Sequence, residues 1–309
     1  MSAWAIAGAV LLYLMAIQWA KKFQARMEFT SRRMERLVTV SIYIVLLAAL
    51  LAPYYPRWQN ADMSEYFLIR DLGANQLQGV EKDGILVLGG SAEYYRTLYA
   101  EKILFGDAQR SLINYQAMVS KKYIRQLKQS DPPVPMDLED SDIESLGPVK
   151  LQKPETFQAG ELKVNYPAET VFLVADMAMM SILRANKFER PVYFSFNIPP
   201  ENMLGLAPYS TIRGLAVKLL EQDPMSTADS TNFFRDKFPV AMDMPWTQQL
   251  LWGYYVHRTT LWQAKGDKLD PRYRPLLNYA KAHAYLAEAF LGKENGEAAA
   301  SNFRQCEFF

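Results

Sequence analysis

The sequence predicts an α/β extracytoplasmic domain and a C-terminal helical-hairpin, tetratricopeptide-like region, tethered by a two-helix transmembrane hairpin. Three observations predict it. Two uncharged apolar runs near the start flank a basic segment. Short β-like runs then alternate with helix-like ones, the order that gives parallel strand pairing with right-handed crossovers. From Trp246 onward only helical patterning continues.

The first run, residues 3–20, has Gln18 as its only strongly polar side chain, and the second, residues 37–53, carries no charge. Each falls slightly short of the ~20 residues that span a bilayer core, and flanking residues can extend both. Trp4, Trp19, Tyr54, Tyr55 and Trp58 stand at the ends, where amphipathic rings favour the headgroup layer. Lys21, Lys22, Arg26, Arg32, Arg33 and Arg36 crowd the segment between. Short basic loops stay cytoplasmic, so the expectation is a two-span inner-membrane protein with both termini and the main domain on the periplasmic side. Its expected partners are the lipid bilayer and other membrane-protein subunits. The organisation predicted is 1–58 for the hairpin, 59–225 for the α/β domain and 226–309 for the helical repeat-like region.

Within the α/β domain, residues 64–77 have helical spacing, and 84–88 give a short buried strand ending in Gly89-Gly90-Ser91. A helix over 92–104, a strand over 111–115 and a basic amphipathic helix over 116–129 follow. Residues 130–160 hold Pro132, Pro133, Pro135, Pro148 and Pro154 and an acidic first half. Such composition buries little apolar surface, so an exposed insertion is expected, its acidic run solvated or docked on a basic partner. A nearly all-apolar helix over 169–187, a strand over 191–196, and a turn with another helix over 204–220 complete the domain. Beyond it, helices over 246–265 and 271–291 are separated by Gly266-Asp267, and a further helical segment follows.

Composition excludes several functions. With 34 basic against 33 acidic residues in 309, nothing resembles a nucleic-acid surface. One cysteine, Cys306, and two histidines, His257 and His283, argue against a cysteine or multi-histidine metal centre. No Walker, dinucleotide or nucleophile-elbow pattern appears, so no cofactor is expected.

Candidate sites are correspondingly modest. Gly89, Gly90 and Ser91 open a helix and could hold an anion on its free N–H groups, with Tyr94 and Tyr95 alongside. The plainer reading is a tight turn capped by Ser91, with Glu93 in the first turn and the tyrosines packed inward. Trp252, Tyr255 and Trp262 fall on one side of a predicted helix and offer a carbohydrate or partner contact, although such stripes more often form core. Asp176 in an apolar helix needs a donor if buried, and a structural ion pair with Arg190 is the expectation.

Two blocks, taken in order, resemble a known family. The first is Asn60-Ala61-Asp62-Met63-Ser64, Arg70-Asp71, Asn75-Gln76-Leu77 and 85–88 running into Gly89-Gly90. The second is Asn186, Arg190-Pro191-Val192-Tyr193-Phe194, Gly205-Leu206, Tyr209 and Gly214-Leu215. This order resembles the extracytoplasmic C-terminal half of membrane proteins related to protein O-mannosyltransferases, of the glycosyltransferase-C class. The resemblance implies sugar transfer from a polyprenyl-phosphate donor to a protein acceptor. Two departures work against carrying the activity over. Where the family has a Gly-Asp-Asn-Asp loop, this chain has Gly90, Ser91, Ala92 and Glu93. The family's catalytic carboxylate lies in an outer loop of a many-span region with no counterpart here. The expectation is therefore a non-catalytic scaffold or accessory subunit, in a respiratory, photosynthetic or secretion complex. The alternative is a C-terminal part or split subunit of a glycosyltransferase, binding a glycan or polyprenyl-phosphate sugar.

Overall fold

The computed structural model describes residues 67–106, 110–227, 230–235, 239–256 and 276–308, with isolated positions before residue 45. The chain forms two compact units, Met1–Tyr66 and Phe67–Phe309. The predicted transmembrane hairpin is corrected: among the described residues, no helix is long and apolar enough to cross a membrane. The two apolar runs that suggested it lie almost wholly outside the described residues. The inner-membrane, periplasmic placement rested on those runs alone and falls with them.

The second unit opens with α1 (Leu68–Gln78) and β1 (Ile85–Leu88). Helix α2 (Ser91–Leu104) then leads to β2 (Ser111–Asn114) and the short basic helix α3 (Lys121–Lys128). The β1 sequence ILVL is buried on both faces, as its unbroken apolar run requires. Leu86 and Leu88 join Leu77, Val80 and Ala100 in one core layer with Tyr193 and Ala216. Helices α1 and α2 cross closely at Gly73, where a Cβ would stand 2.8 Å from the Arg96 carbonyl oxygen. The predicted 116–129 helix is split: residues Tyr115–Val119 form a 3₁₀ turn, and α3 begins after Ser120.

The acidic, proline-rich segment is ordered, with its acidic side chains exposed. It folds into α4 (Asp140–Ser145), β3 (Val149–Lys150) and β4 (Glu155–Ala159), the last paired with β5 (Leu162–Tyr166) around Gly160. Its acidic run lies on the chain's own basic helix: Asp140 pairs with Lys128 at 3.1 Å and Glu144 with Arg125. Lys128 Nζ also donates to the Leu138 carbonyl at 2.7 Å, and Ile143 is fully buried. Single apolar residues, Val134, Ile143, Leu151 and Phe157, are buried and anchor the segment.

After β6 (Val171–Phe172) come α5 (Val174–Asn186) and β7 (Val192–Ser195). The helix expected within 204–220 is instead a β-hairpin, β8 (Ser210–Arg213) and β9 (Ala216–Leu219). The two-residue loop Gly214-Leu215 joins them, with Gly214 at φ +63°. A positive φ at the first loop position matches the twist of the flanking strands. Tyr255 seals this turn: its hydroxyl accepts the Leu215 N–H at 2.8 Å. Strands β10 (Phe233–Phe234) and β11 (Ala241–Asp243) complete a seven-stranded sheet of order β10-β11-β8-β9-β7-β1-β2. Pairing is parallel through β2-β1-β7 and between β11 and β8, and antiparallel elsewhere. The sheet is thus mixed where parallel pairing was expected.

Helix α6 (Met244–Gln249) continues as a π-turn, Leu250–Tyr254, so the long helix predicted over 246–265 breaks by Tyr255. Helices α7 (Leu277–Gly292) and α8 (Gly296–Phe308) pack on each other, and α7 also meets α6 and β11. Among the described residues this helical pair leans on the sheet domain.

Candidate functional site

The chain leaves β1 towards β2 and later returns past β1 to β7, so the order 2-1-7 contains a reversal of direction. In open α/β sheets a crevice forms outside the carboxyl ends of the strands at such a point. Here those ends supply Gly89-Gly90-Ser91 after β1, Asn114 at the end of β2, and Ser195 and Asn197 at and after β7.

The crevice floor is organised by Glu93, only 7% exposed. Its Oε1 accepts from Ser195 Oγ at 2.6 Å, Gln76 Nε2 at 2.9 Å and Asn197 Nδ2 at 3.0 Å. Its Oε2 accepts the Gly89 N–H at 3.1 Å, and the Arg96 guanidinium stands 3.4 Å from Oε1. Thr97 extends the network by donating to Gln76 Oε1 at 3.1 Å. Burial pushes the Arg96 guanidinium below its ordinary value, and the neighbouring Glu93 charge opposes that shift. Buried carboxylates persist where donors satisfy them, and this one ties α1, α2 and β7 together.

Glu93 also changes the meaning of the glycines. The helix N-cap is Gly90 rather than Ser91, with no side-chain cap bond. Gly90 has φ −170°, extended backbone open to any residue, and its nearest foreign neighbour is the flexible Gln116 side chain. The first intrahelical bond runs from the Tyr94 N–H to the Gly90 carbonyl. The N–H groups of Ser91 and Ala92 lie ahead of it at the exposed mouth. A carboxylate beneath that mouth disfavours an anion and suits neutral hydroxyl groups.

The tyrosines divide. Tyr95 is 66% exposed, whereas Tyr94 is half-buried against Tyr95 in an edge-to-face contact, ring centroids 5.4 Å apart. Burial raises the Tyr94 hydroxyl above its ordinary value and carries Tyr123 up to about 12. Tyr123 donates no strand pairing of its own but accepts the Asn114 N–H at 2.9 Å, holding the end of β2. Asn114 Nδ2 in turn donates to Ser91 Oγ at 3.2 Å.

The expected Asp176–Arg190 ion pair is corrected. Asp176 accepts from the Tyr115 hydroxyl at 2.6 Å and the Leu173 N–H at 2.7 Å, so it closes the start of α5. Arg190 instead donates to the carbonyls of Asp83 at 2.8 Å and Pro133 at 3.1 Å, and to Ser111 Oγ at 2.9 Å. Burial, reinforced by Asp176, pushes the Tyr115 hydroxyl far above its ordinary value. Of the expected aromatic stripe, Tyr255 is 8% exposed and structural, Trp252 is 47% exposed, and Trp262 lies outside the described residues.

Sequence reasoning marked Gly89, Gly90 and Ser91 as the opening of a helix, which the structure puts beside the crevice, and missed the anchoring roles of Glu93, Ser195 and Asn197. A usable signal existed: Ser195 closes the apolar VYF run of a predicted strand and Asn197 comes just after that strand's end, where carboxyl-end residues gather. Among the described residues no group of histidine, cysteine, aspartate and glutamate is arranged to hold a metal.

Residues 134–237 match the family TMEM260-associated domain 2, about a third of the chain. The match includes β7 with Ser195 and Asn197, and excludes β1, Glu93 and α2. No curated protein and no solved structure matches the chain. The domain match links the chain loosely to glycosyltransferase-related proteins, in keeping with the resemblance to proteins related to O-mannosyltransferases.

Proposed function

We propose that this chain is a non-catalytic accessory module of a glycosyltransferase-related system, holding a neutral, hydroxyl-rich group in the crevice outside β1 and β7. The observation that carries the reading is the fate of Glu93. Donors from Gln76, Gly89, Ser195 and Asn197 occupy the carboxylate, with Arg96 beside it. A general acid or base must reach the proton it moves, and a carboxylate committed to fixed donors does not. What faces outward is the exposed set Ser91, Tyr95, Gln116 and Asn197, polar groups beside one aromatic ring. That set binds rather than reacts. The match over 134–237 supports the glycosyltransferase setting.

The test is genetic and biochemical. Deletion should lower glycan transfer in the source cell, while the purified full chain transfers no sugar. Ser91→Trp, which fills the mouth without touching the Glu93 network, should reproduce the deletion with the protein still folded. Transferase activity in the purified chain, or an unchanged glycan profile on deletion, would overturn the reading.

A further inference from the structure

A second face of the molecule, independent of the crevice, carries the features of a sugar-stacking platform. Trp252 sits in the π-turn after α6 with almost half its surface open. It forms a shallow depression of about 360 Å³ with Gln248, Asn295, Glu297, Ser301 and Asn302. We infer that this depression binds a neutral pyranose, its C–H face stacked on the Trp252 indole and its hydroxyls on the surrounding amide, hydroxyl and carboxylate groups.

Three observations support this ligand class. The first is the fixed indole. Trp252 Nε1 donates to Asn302 Oδ1 at 3.2 Å, and the His283 ring meets it edge-on, centroids 5.6 Å apart at 82°. Asn302 is itself held, donating to the Ala298 carbonyl at 2.9 Å and lying 2.8 Å from His283 Nδ1. Since Asn302 Oδ1 accepts from the indole and Nδ2 donates to a carbonyl, His283 must present its N–H at Nδ1. Every rotatable bond behind the ring is thus committed before a ligand arrives, which reduces the ordering cost of binding.

The second observation is the composition of the rim. Gln248, Asn295 and Ser301 offer both donors and acceptors, and Glu297 adds an acceptor, which matches paired hydroxyl groups. The third is charge. Among the described residues the lining holds one carboxylate and no lysine or arginine, so a phosphate, nucleotide or acidic peptide finds no counter-charge among them. Among the described lining residues the indole face is the large apolar surface, a poor fit for a protein anchor that wants a closed apolar pocket.

The experiment is saturation-transfer NMR and calorimetry on the full chain with a panel of neutral disaccharides built from glucose, galactose, mannose and N-acetylglucosamine. At least one should bind with a dissociation constant on the order of 1 mM, a value expected for a shallow, open site. Trp252→Ala should weaken it about tenfold or more, as loss of a central aromatic anchor does. Trp252→Phe keeps a ring face without the Asn302 bond and should fall between, with unchanged circular dichroism showing that both variants fold. Asn197→Ala, in the crevice, is the control. A loss on Trp252→Ala supports the platform whatever the control does. Loss on Asn197→Ala alone overturns the platform and leaves the crevice reading standing. Absence of binding to the whole panel overturns the platform too.

Discussion

Glu93→Ala removes the carboxylate at the centre of the crevice while leaving the apolar core untouched. Gln76 and Ser195, 2% and 0% exposed, then lose their carboxylate acceptor. Asn197 is exposed and recovers a bond to solvent. Each buried donor left unsatisfied costs about 1–3 kcal/mol. The Arg96 charge loses its carboxylate as well, and breaking a buried pair from one side costs about 3–5 kcal/mol. These contributions overlap, so about 3–5 kcal/mol is expected in all. Glu93→Gln keeps the shape and one acceptor oxygen, and should cost about half as much. Urea denaturation followed by far-ultraviolet circular dichroism reads both. With a slope near 3 kcal/mol/M, the midpoint should fall by about 1–1.7 M for Ala, with the slope unchanged. A fall below about 0.3 M for Glu93→Ala would mean that the donors re-pair locally, and the claim that this carboxylate fastens α1, α2 and β7 together would be wrong.

Gly214→Ala should destabilise by about 2–4 kcal/mol, because φ is +63° and the new methyl would meet the Tyr255 hydroxyl at 2.0 Å. Tyr255→Phe should cost about 1–2 kcal/mol alone, yet the double variant should be less impaired than the sum, a coupling that denaturant midpoints detect. Reversing charge in Arg125→Glu with Lys128→Glu should release the acidic segment, seen as faster amide exchange over 137–146, while global stability changes by less than about 1 kcal/mol because these pairs are largely exposed. His283 is shifted down from 6.5 by burial, against the Asn302 bond, so folding favours its neutral form. Its contribution is present above 6.5 and is lost as pH falls through the lowered value. Wild type should therefore lose stability below pH 6.5 relative to His283→Gln, with a slope of up to about 1.4 kcal/mol per pH unit, read from urea midpoints at each pH. Parallel pH curves for the two proteins would count against it.

Local chemistry alone announced several elements of this fold. The run ILVL bounded by glycines could only be a short buried strand, and 111–114 and 192–195 read the same way. Helix α2 began within one residue of expectation because an N-terminal Glu93 and a glycine turn are sequence-local signals. The position of Gly89-Gly90-Ser91 at a strand's carboxyl end was equally legible. Elements whose identity depends on distant partners were not. Residues 210–219 carry helix-compatible spacing, and only the fit of Gly214 under Tyr255, forty residues on, makes them a hairpin. The exposure of the acidic segment was legible in its composition, whereas its counter-charges, Lys128 and Arg125, come from another element. Asp176 was rightly marked as needing a donor, but composition cannot say that Tyr115 supplies it. Glu93 shows the division best. Its place in a first turn is written in four adjacent residues, whereas its role as the crevice floor depends on Ser195 and Asn197, more than a hundred positions away. Periodicity and turn chemistry act over a few residues and survive in the sequence. Satisfaction of a buried charge is a demand met by whatever the folded chain brings near, and only the tertiary structure decides what that is.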